Sequence, residues 1–118
     1  GDKNFSIWGS GNPRREFLYV DELAECINFL LDKETKDDLY NVGSGQEVTI
    51  KELSEKIKSV IKYEGNLVFD ENMPDGNPRK LLDSSLINNL GWKSEISLIH
   101  GLKSTYKWYL DNLEKIRN

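Results

Sequence analysis

The apolar residues of the chain fall into short β-type runs separated by longer helical stripes. Four runs rich in aromatic and branched residues predict strands, and they cover residues 5–8, 16–20, 39–42 and 66–70. Gly-Ser-Gly turns follow the first and third of these runs, which limits those strands to a few residues. The pattern therefore predicts short strands bounded by tight turns.

Between the strands, apolar residues recur at helical spacing. Asp21 can cap a first helix in which Leu23, Ile27, Leu30 and Leu31 share one face. The spacing therefore predicts an amphipathic helix with one apolar stripe.

The clearest helix signal begins at Thr49. Thr49 and Glu52 have the spacing of a capping box, in which each side chain bonds the other residue's amide. The apolar stripe behind it consists of Ile50, Leu53, Ile57, Val60 and Ile61. A short helix is predicted over residues 85–90 with Gly91 ending it, and Ser97 can cap the last helix. This alternation predicts an α/β fold with short strands and about four helices.

Composition narrows the class of protein. Of the 118 residues, 37% are hydrophobic and 31% charged, which is typical of one small globular domain. The net charge of −4 argues against nucleic acid as the main partner. No apolar run approaches the length of a membrane span, and a single cysteine is typical of a reducing cytoplasm. The chain enters aromatic residues almost at once, as expected of part of a longer protein.

Residues 74–80, PDGNPRK, form a stiff cationic loop. Pro74 and Pro78 restrict the backbone, and the Asp-Gly pair between them favours a tight turn. The loop thus delivers Arg79 and Lys80 at a defined place. The alternative is a surface turn whose cations are solvated or paired with acidic residues.

A second cationic pair, Arg14 and Arg15, follows Pro13 after the first glycine-rich turn. If the two pairs converge, they suit a diphosphate, because charge-assisted hydrogen bonds to phosphate oxygens are strong. Trp8 precedes that turn, where its indole can stack on a base or sugar or instead fill core space. The residues by themselves leave both interpretations open.

Few residues have the pattern of a catalytic centre or a cofactor site. Neither Gly-Ser-Gly run has the G-x-G-x-x-G spacing that leads into a helix, so both are more typical of structural turns. His100 and Cys26 are single residues of their types, which argues against a zinc site. Cys26 lies beside an apolar stripe and is predicted to be a core residue. No tyrosine is followed four residues later by a lysine, the pair that exchanges protons with a carbonyl.

Several segments together resemble the C-terminal portion of the GDP-L-fucose synthase family. The segments are WGSGNPRREFLYVDELA (8–24), YNVGSG (40–45), TIKELSEKI (49–57), PDGNPRKLLD (74–83), LGWK (90–93) and GLKSTYKWYL (101–110). The R-E-F and N-V-G-S-G pieces are shared by many extended short-chain dehydrogenase/reductases. The W-G-S-G and P-D-G-N-P-R-K pieces in combination are much more specific.

The resemblance implies a two-step enzyme that epimerises GDP-4-keto-6-deoxy-D-mannose and then reduces it with NADPH to GDP-L-fucose. By similarity, Trp8, Arg15, Asp75 and Lys80 contact the GDP-sugar. Arg15 and Lys80 would neutralise the diphosphate, Trp8 would pack on nucleotide or sugar, and Asp75 would accept from a hydroxyl. A homodimer is implied for the full-length enzyme, with no nucleic acid or membrane partner.

The family's catalytic residues and its NADP-binding loop lie upstream, in an N-terminal Rossmann domain. Cys26 and His100 do not occupy matching positions, so no catalytic or cofactor-binding residue is predicted in this chain. Residues 1–118 are accordingly interpreted as the C-terminal substrate-binding portion, inactive alone. Residues 21–45 or so are expected to pack with the Rossmann domain, so that the isolated chain exposes an apolar face and self-associates. The alternatives are another nucleotide-sugar epimerase or dehydratase, and a non-catalytic interaction module.

Overall fold

The computed structural model describes residues 3–37 and 39–116 and confirms the α/β class. Five short strands and five helices occur in this part of the chain, one helix more than expected. In chain order they are β1 (Asn4–Trp8), β2 (Arg14–Glu16), α1 (Val20–Leu31), β3 (Glu47–Thr49), α2 (Ile50–Ile61), β4 (Asn66–Asp70), β5 (Arg79–Lys80), α3 (Ser85–Leu90), α4 (Leu98–Asp111) and α5 (Leu113–Ile116).

The strands form two small sheets rather than one. β1 and β4 pair in parallel over their full length, from Asn4 opposite Asn66 to Trp8 opposite Asp70. The second sheet has the order β3-β2-β5, with β2 antiparallel to β3 and parallel to β5. The central strand β2 therefore joins two segments that are distant in sequence.

The local signals at helix ends predicted the structure well. The Thr49 hydroxyl accepts a hydrogen bond from the Glu52 amide at 3.0 Å, and the Glu52 carboxylate accepts one from the Thr49 amide at 2.8 Å. The capping box is thus complete. Helix α3 ends at Gly91 with a φ of 118°, and the Ser97 hydroxyl accepts from the His100 amide at 3.3 Å.

The strand predicted over residues 16–20 is wrong. The ladder ends at Glu16, and helix α1 begins at Val20 with Tyr19 rather than Asp21 in the N-cap position. Asp21 instead lies in the first turn, where a negative charge still favours the helix dipole. The aromatic content of this segment reflects packing around the helix start: Gly101 approaches so closely that a Cβ there would lie 3.4 Å from the Tyr19 Cβ.

The strand predicted over residues 39–42 is also absent. No described strand pairs with this segment, and an unpaired backbone cannot form a ladder. Tyr40 and Val42 instead pack beside the small core formed by Cys26, Ile87 and Trp92. The apolar pattern of the segment indicated that Tyr40 and Val42 pack against the core, but Leu39 is 74% exposed and no strand forms in this described segment.

The apolar stripe of helix α1 is packed along one edge and exposed along the other. Cys26 is completely buried, as predicted, and Leu30 packs partly against the core. Leu23, Ile27 and Leu31 continue the same stripe but are 40%, 53% and 79% exposed. The exposed edge is therefore an apolar surface open to solvent in the described part of the chain.

The molecule is extended for its mass. Its accessible surface is 9115 Å², whereas a compact protein of 13.6 kDa exposes about 6,600 Å². Its radius of gyration is 17.2 Å, against about 13.5 Å for a compact domain of this length. The molecule thus leaves much surface uncovered, to which the exposed Val20, Leu23, Ile27 and Leu31 of α1 contribute.

Candidate functional site

The loop of residues 74–80 lies against the turn that follows Trp8. Asp75 accepts two hydrogen bonds from Ser10, one from its amide at 2.8 Å and one from its hydroxyl at 2.7 Å. The hydroxyl and then the amide lower the pKa of the Asp75 carboxyl. Gly9 has a φ of 85°, and a side chain there would collide with Asp75. The first glycine of the turn is therefore required by the docking of the loop.

Arg15 holds the same loop from the other side. Its Nη1 donates to the carbonyl oxygens of Asn77 and Arg14, each at 2.7 Å. Its Nη2 lies beside Gly76, where an added Cβ would be 3.2 Å away. Guanidinium has five donors, so Arg15 can brace the loop and still bind an anion.

Strand pairing brings Arg15 and Lys80 together. The two residues are directly opposite each other in the parallel β2–β5 ladder. Side chains of register partners point to the same face of a sheet, so both cations, with Val48 of β3, share one face. The register thus places one cation of each predicted pair next to the other, as a shared site would require.

The other two cations occupy the opposite face and serve the fold. Arg14 and Arg79 are also register partners. Arg79 makes two hydrogen bonds to Glu47, from Nε at 2.6 Å and from Nη2 at 2.8 Å. These bonds are the main cause of the lowered pKa of Glu47, to which the charge of Arg14 also contributes. Alternation along the strands thus places the four adjacent cations on two faces of the sheet, two on each.

The two faces differ in charge balance. Like charges directly opposite each other in a sheet repel, so each cation pair needs a compensating anion. Glu47 supplies it on the Arg14–Arg79 face. Among the residues that the structure describes, no carboxylate oxygen lies within 4.0 Å of the charged nitrogens of Arg15 or Lys80. This face has the charge arrangement of an anion-binding site.

Trp8 is the last residue of strand β1. Its side chain is 70% exposed, so it does not fill the core of the described residues. It lies on the outward face of the β1–β4 pair, on the same side as Ser6 and Val68. Trp8 directly precedes Gly9 and Ser10, which contact Asp75 of the 74–80 loop.

The Gly-Ser-Gly turns do not fit a dinucleotide. The amide of Ser10 in the first turn is bonded to Asp75, and the amide of Gly45 in the second is bonded to Glu16 at 2.6 Å. Both turns lead toward strands rather than into a helix. Each thus binds a carboxylate of the protein itself, and neither presents a helix N-terminus to a pyrophosphate.

Cys26 and His100 do not form a reactive site. Cys26 is completely buried, and burial raises the pKa of its thiol. His100 is exposed in the first turn of α4. Within residues 3–37 and 39–116, no cluster of His, Cys, Asp or Glu is arranged to hold a metal ion. No helix in the same part of the chain combines the length and hydropathy needed to cross a bilayer.

Two carboxylates were missed from the sequence. Glu16 contacts the amides of Gly45 and Leu82, and Glu22 is buried with three donors around it. In the sequence each of the two follows another charged residue, a context that is typical of solvent-exposed side chains. The available signal for Glu22 was its position in the first turn on the same face as Cys26, four residues later.

Comparison with known proteins gives a consistent set of relatives. The family model described as "NAD dependent epimerase/dehydratase family" matches residues 1–43. The chain is 53% identical over 107 residues to the probable GDP-L-fucose synthase 1 of Oryza sativa subsp. japonica, covering 91% of the chain and 33% of that protein. It is 45% identical over 120 residues to the GDP-L-fucose synthase of Escherichia coli K12, covering 94% of the chain and 37% of that protein. The chain thus spans about a third of the length of the curated relatives it matches.

Solved structures agree with this result. A GDP-L-fucose synthetase from Naegleria fowleri bound to NADP superimposes with a TM-score of 0.87 at 25% identity, over 94% of the chain and 36% of that protein. A GDP-6-OMe-4-keto-L-xylo-heptose reductase from C. jejuni gives a TM-score of 0.83 at 35% identity, over 93% of the chain and 34% of that protein. Both of these proteins are named after a GDP-sugar.

Proposed function

We propose that the chain belongs to the NAD-dependent epimerase/dehydratase family and corresponds to about a third of a GDP-L-fucose synthase, because the family model matches residues 1–43 and the synthases align with it over about a third of their length. The chain is the part of such an enzyme that holds the GDP-sugar. The complete enzyme converts GDP-4-keto-6-deoxy-D-mannose to GDP-L-fucose by epimerisation and NADPH-dependent reduction, and acts as a cytoplasmic homodimer. The chemistry and the NADP site belong to the rest of the polypeptide, so the chain alone is inactive.

The observation that carries the proposal is the uncompensated pair of Arg15 and Lys80. Two cations in register on one sheet face repel each other unless an anion lies between them. A diphosphate carries the charge and the acceptor oxygens to satisfy both. Arg15 can use the nitrogens that do not brace Asn77, and Lys80 contributes a mobile ammonium.

Trp8 and Asp75 complete the proposed site from the adjoining turn. The exposed indole offers a flat apolar surface on which a base or sugar ring can stack. Each carboxylate oxygen of Asp75 accepts one hydrogen bond from Ser10 and can accept a second hydrogen bond from another donor. Asp75 can therefore dock the loop and also accept from a ligand hydroxyl.

The exposed face of α1 is the proposed contact with the rest of the enzyme. Val20, Leu23, Ile27 and Leu31 follow each other at helical spacing and are between 40% and 79% exposed. The unpaired segment 39–45 follows the same helix and has no ladder partner among the described strands. We propose that a Rossmann domain covers both, which corresponds to the boundary expected near residues 21–45. Without that domain the face drives self-association.

The sugar attached to GDP is a separate question. Relatives with 35–37% identity include a GDP-L-colitose synthase from Yersinia pseudotuberculosis and the C. jejuni heptose reductase. A second candidate function is therefore binding of a different GDP-sugar by the same diphosphate face. GDP is common to both candidates.

Titration with GDP, UDP and dTDP tests the proposal. GDP should bind the 118-residue chain and change the tryptophan fluorescence, and Trp8→Phe should remove that change. Lys80→Met should weaken GDP binding about tenfold or more, since a charge-assisted hydrogen bond contributes roughly 1.5–3 kcal/mol. Lys103→Met is the matched control, because Lys103 is exposed on α4 away from the sheet. Equal binding of all three nucleotides, or an unchanged affinity in Lys80→Met, would overturn the assignment. A chain that binds no nucleotide is the outcome expected of a non-catalytic interaction module.

A further inference from the structure

Glu16 joins three separate segments of the chain next to the proposed diphosphate face. Its Oε2 accepts from the Gly45 amide at 2.6 Å, and its Oε1 accepts from the Leu82 amide at 3.2 Å. Glu16 follows Arg15 in β2 and therefore points to the opposite face of the sheet. Its carboxylate thus lies behind the cations and faces no ligand on their side.

The surrounding backbone is shaped to admit this carboxylate. Gly43 is buried, and a Cβ added there would lie 2.5–2.6 Å from all three carboxylate atoms of Glu16. Any side chain at position 43 would therefore displace the Glu16 carboxylate from this place. The second glycine-rich turn is therefore built around an internal anion.

The contact with Leu82 lies just beyond Lys80. Strand β5 consists of only Arg79 and Lys80, so its ladder with β2 is too short to be rigid alone. Its entry is held by the hydrogen bond from the Arg14 amide to the Pro78 carbonyl at 2.9 Å. Its exit is held by the bond from Leu82 to Glu16.

We infer that Glu16 is a positioning residue, which sets Lys80 opposite Arg15 by fixing the exit of β5. The inference rests on the proposed diphosphate site and adds a residue that does not touch the ligand. Glu16 also holds the turn of residues 43–45 against strand β2. The segment after α1 and the cationic loop are therefore both bonded to the same carboxylate.

The sign of the effect separates positioning from simple electrostatics. Glu16→Gln removes a negative charge close to an anion site, so Coulomb attraction alone predicts tighter binding of GDP. The same change places an amide N–H against one of two backbone N–H donors and releases either Gly45 or Leu82. If positioning dominates, GDP binding weakens instead, because small misplacements of a binding group cost much of its contribution.

The experiment measures GDP affinity by calorimetry in the full 118-residue chain. Glu16→Gln should bind about tenfold more weakly, while the control Glu55→Gln, an exposed carboxylate on α2, should bind as the wild type does. In the Lys80→Met background the further effect of Glu16→Gln should shrink to less than about twofold, because coupled residues are non-additive. Amide exchange at Leu82 should accelerate in Glu16→Gln.

Three outcomes overturn the inference. They are tighter or unchanged GDP binding in Glu16→Gln, full additivity with Lys80→Met, and unchanged exchange at Leu82. Wild-type affinity in Lys80→Met overturns the diphosphate site itself, whatever Glu16→Gln does. Should Glu16→Gln fail to fold, Glu16→Asp keeps the charge and withdraws the carboxylate, so weaker GDP binding supports positioning and unchanged binding refutes it.

Discussion

Glu22 provides the sharpest test of how this chain is held together. The carboxylate is only 3% exposed and has no cation within ion-pair distance among the described residues. Its Oε1 accepts from the amides of Glu95 and Ile96 at 2.5 and 2.9 Å, and its Oε2 accepts from the Ser94 hydroxyl at 2.7 Å. A single buried charge thus fixes the segment before α4 to helix α1.

Two substitutions separate the packing role of Glu22 from its charge. Glu22→Ala leaves two backbone donors buried without an acceptor, and each costs about 1–3 kcal/mol. We therefore expect a loss of about 2–6 kcal/mol in the free energy of unfolding. Glu22→Gln can keep one oxygen on both amides while the Ser94 hydroxyl rotates to accept, so only the charge-assisted part is lost, about 1–2 kcal/mol. A domain of this size has roughly 6–18 kcal/mol in total, so both losses are measurable.

The same carboxylate should make stability depend on pH. Burial by itself raises the pKa of Glu22, but the hydrogen bonds from Glu95, Ile96 and Ser94 outweigh it and leave the pKa below its usual value. A carboxyl whose pKa is lower in the folded state stabilises the fold above its unfolded pKa, about 4.3. That contribution is lost as the pH falls from there through the folded pKa. The acid limb of the stability curve should therefore be shallower in Glu22→Gln.

Urea unfolding followed by circular dichroism, at pH 7 and at intervals down to pH 3, measures both effects. Glu25→Gln is the matched control, because Glu25 is exposed on the same helix. The reasoning is refuted if Glu22→Gln and Glu22→Ala lose equal stability. It is refuted as well if the difference in stability between wild type and Glu22→Gln does not narrow below about pH 4.3.

Three further changes follow from the structure. Thr49→Ala removes one half of the capping box and should cost about 1 kcal/mol in urea unfolding; no loss would mean that the cap is redundant. Gly9→Ala combines a φ of 85° with a collision against Asp75. It should therefore destabilise the chain more than Gly45→Ala, where φ is 73° and the space is open. Equal losses of unfolding free energy in the two variants would mean that backbone strain alone causes the effect. Ile27→Lys should reduce self-association in sedimentation experiments, because a charge disrupts the exposed face of α1; a monodisperse wild type at high concentration would count against this use of the face.

Some elements could be read directly from local residues. The Thr49 capping box, the glycine that ends α3 and the Ser97 cap all depend on groups within a few positions of each other. Strand β4 was predicted over the residues that it occupies. Local hydrogen bonds and steric limits suffice for such features, so no tertiary information is needed.

The two wrong strands share a different cause. Residues 16–20 and 39–42 have the aromatic and branched residues of strands, but a strand exists only where a neighbour supplies the ladder. Beyond Glu16 the chain turns into α1, and the segment near Tyr40 has no partner strand among the described residues. Their composition could not indicate whether a partner strand is present.

The candidate site divides in the same way. The sequence alone indicated which residue types could bind a diphosphate, and placed Arg15 and Lys80 on two stiff turns. Only the tertiary structure decided which cations share a face, because that depends on the register of β2 with β5. It committed Arg79 to Glu47 and left Lys80 without a carboxylate partner among the described residues. Register joins residues 65 positions apart, and no local pattern of amino acids encodes it.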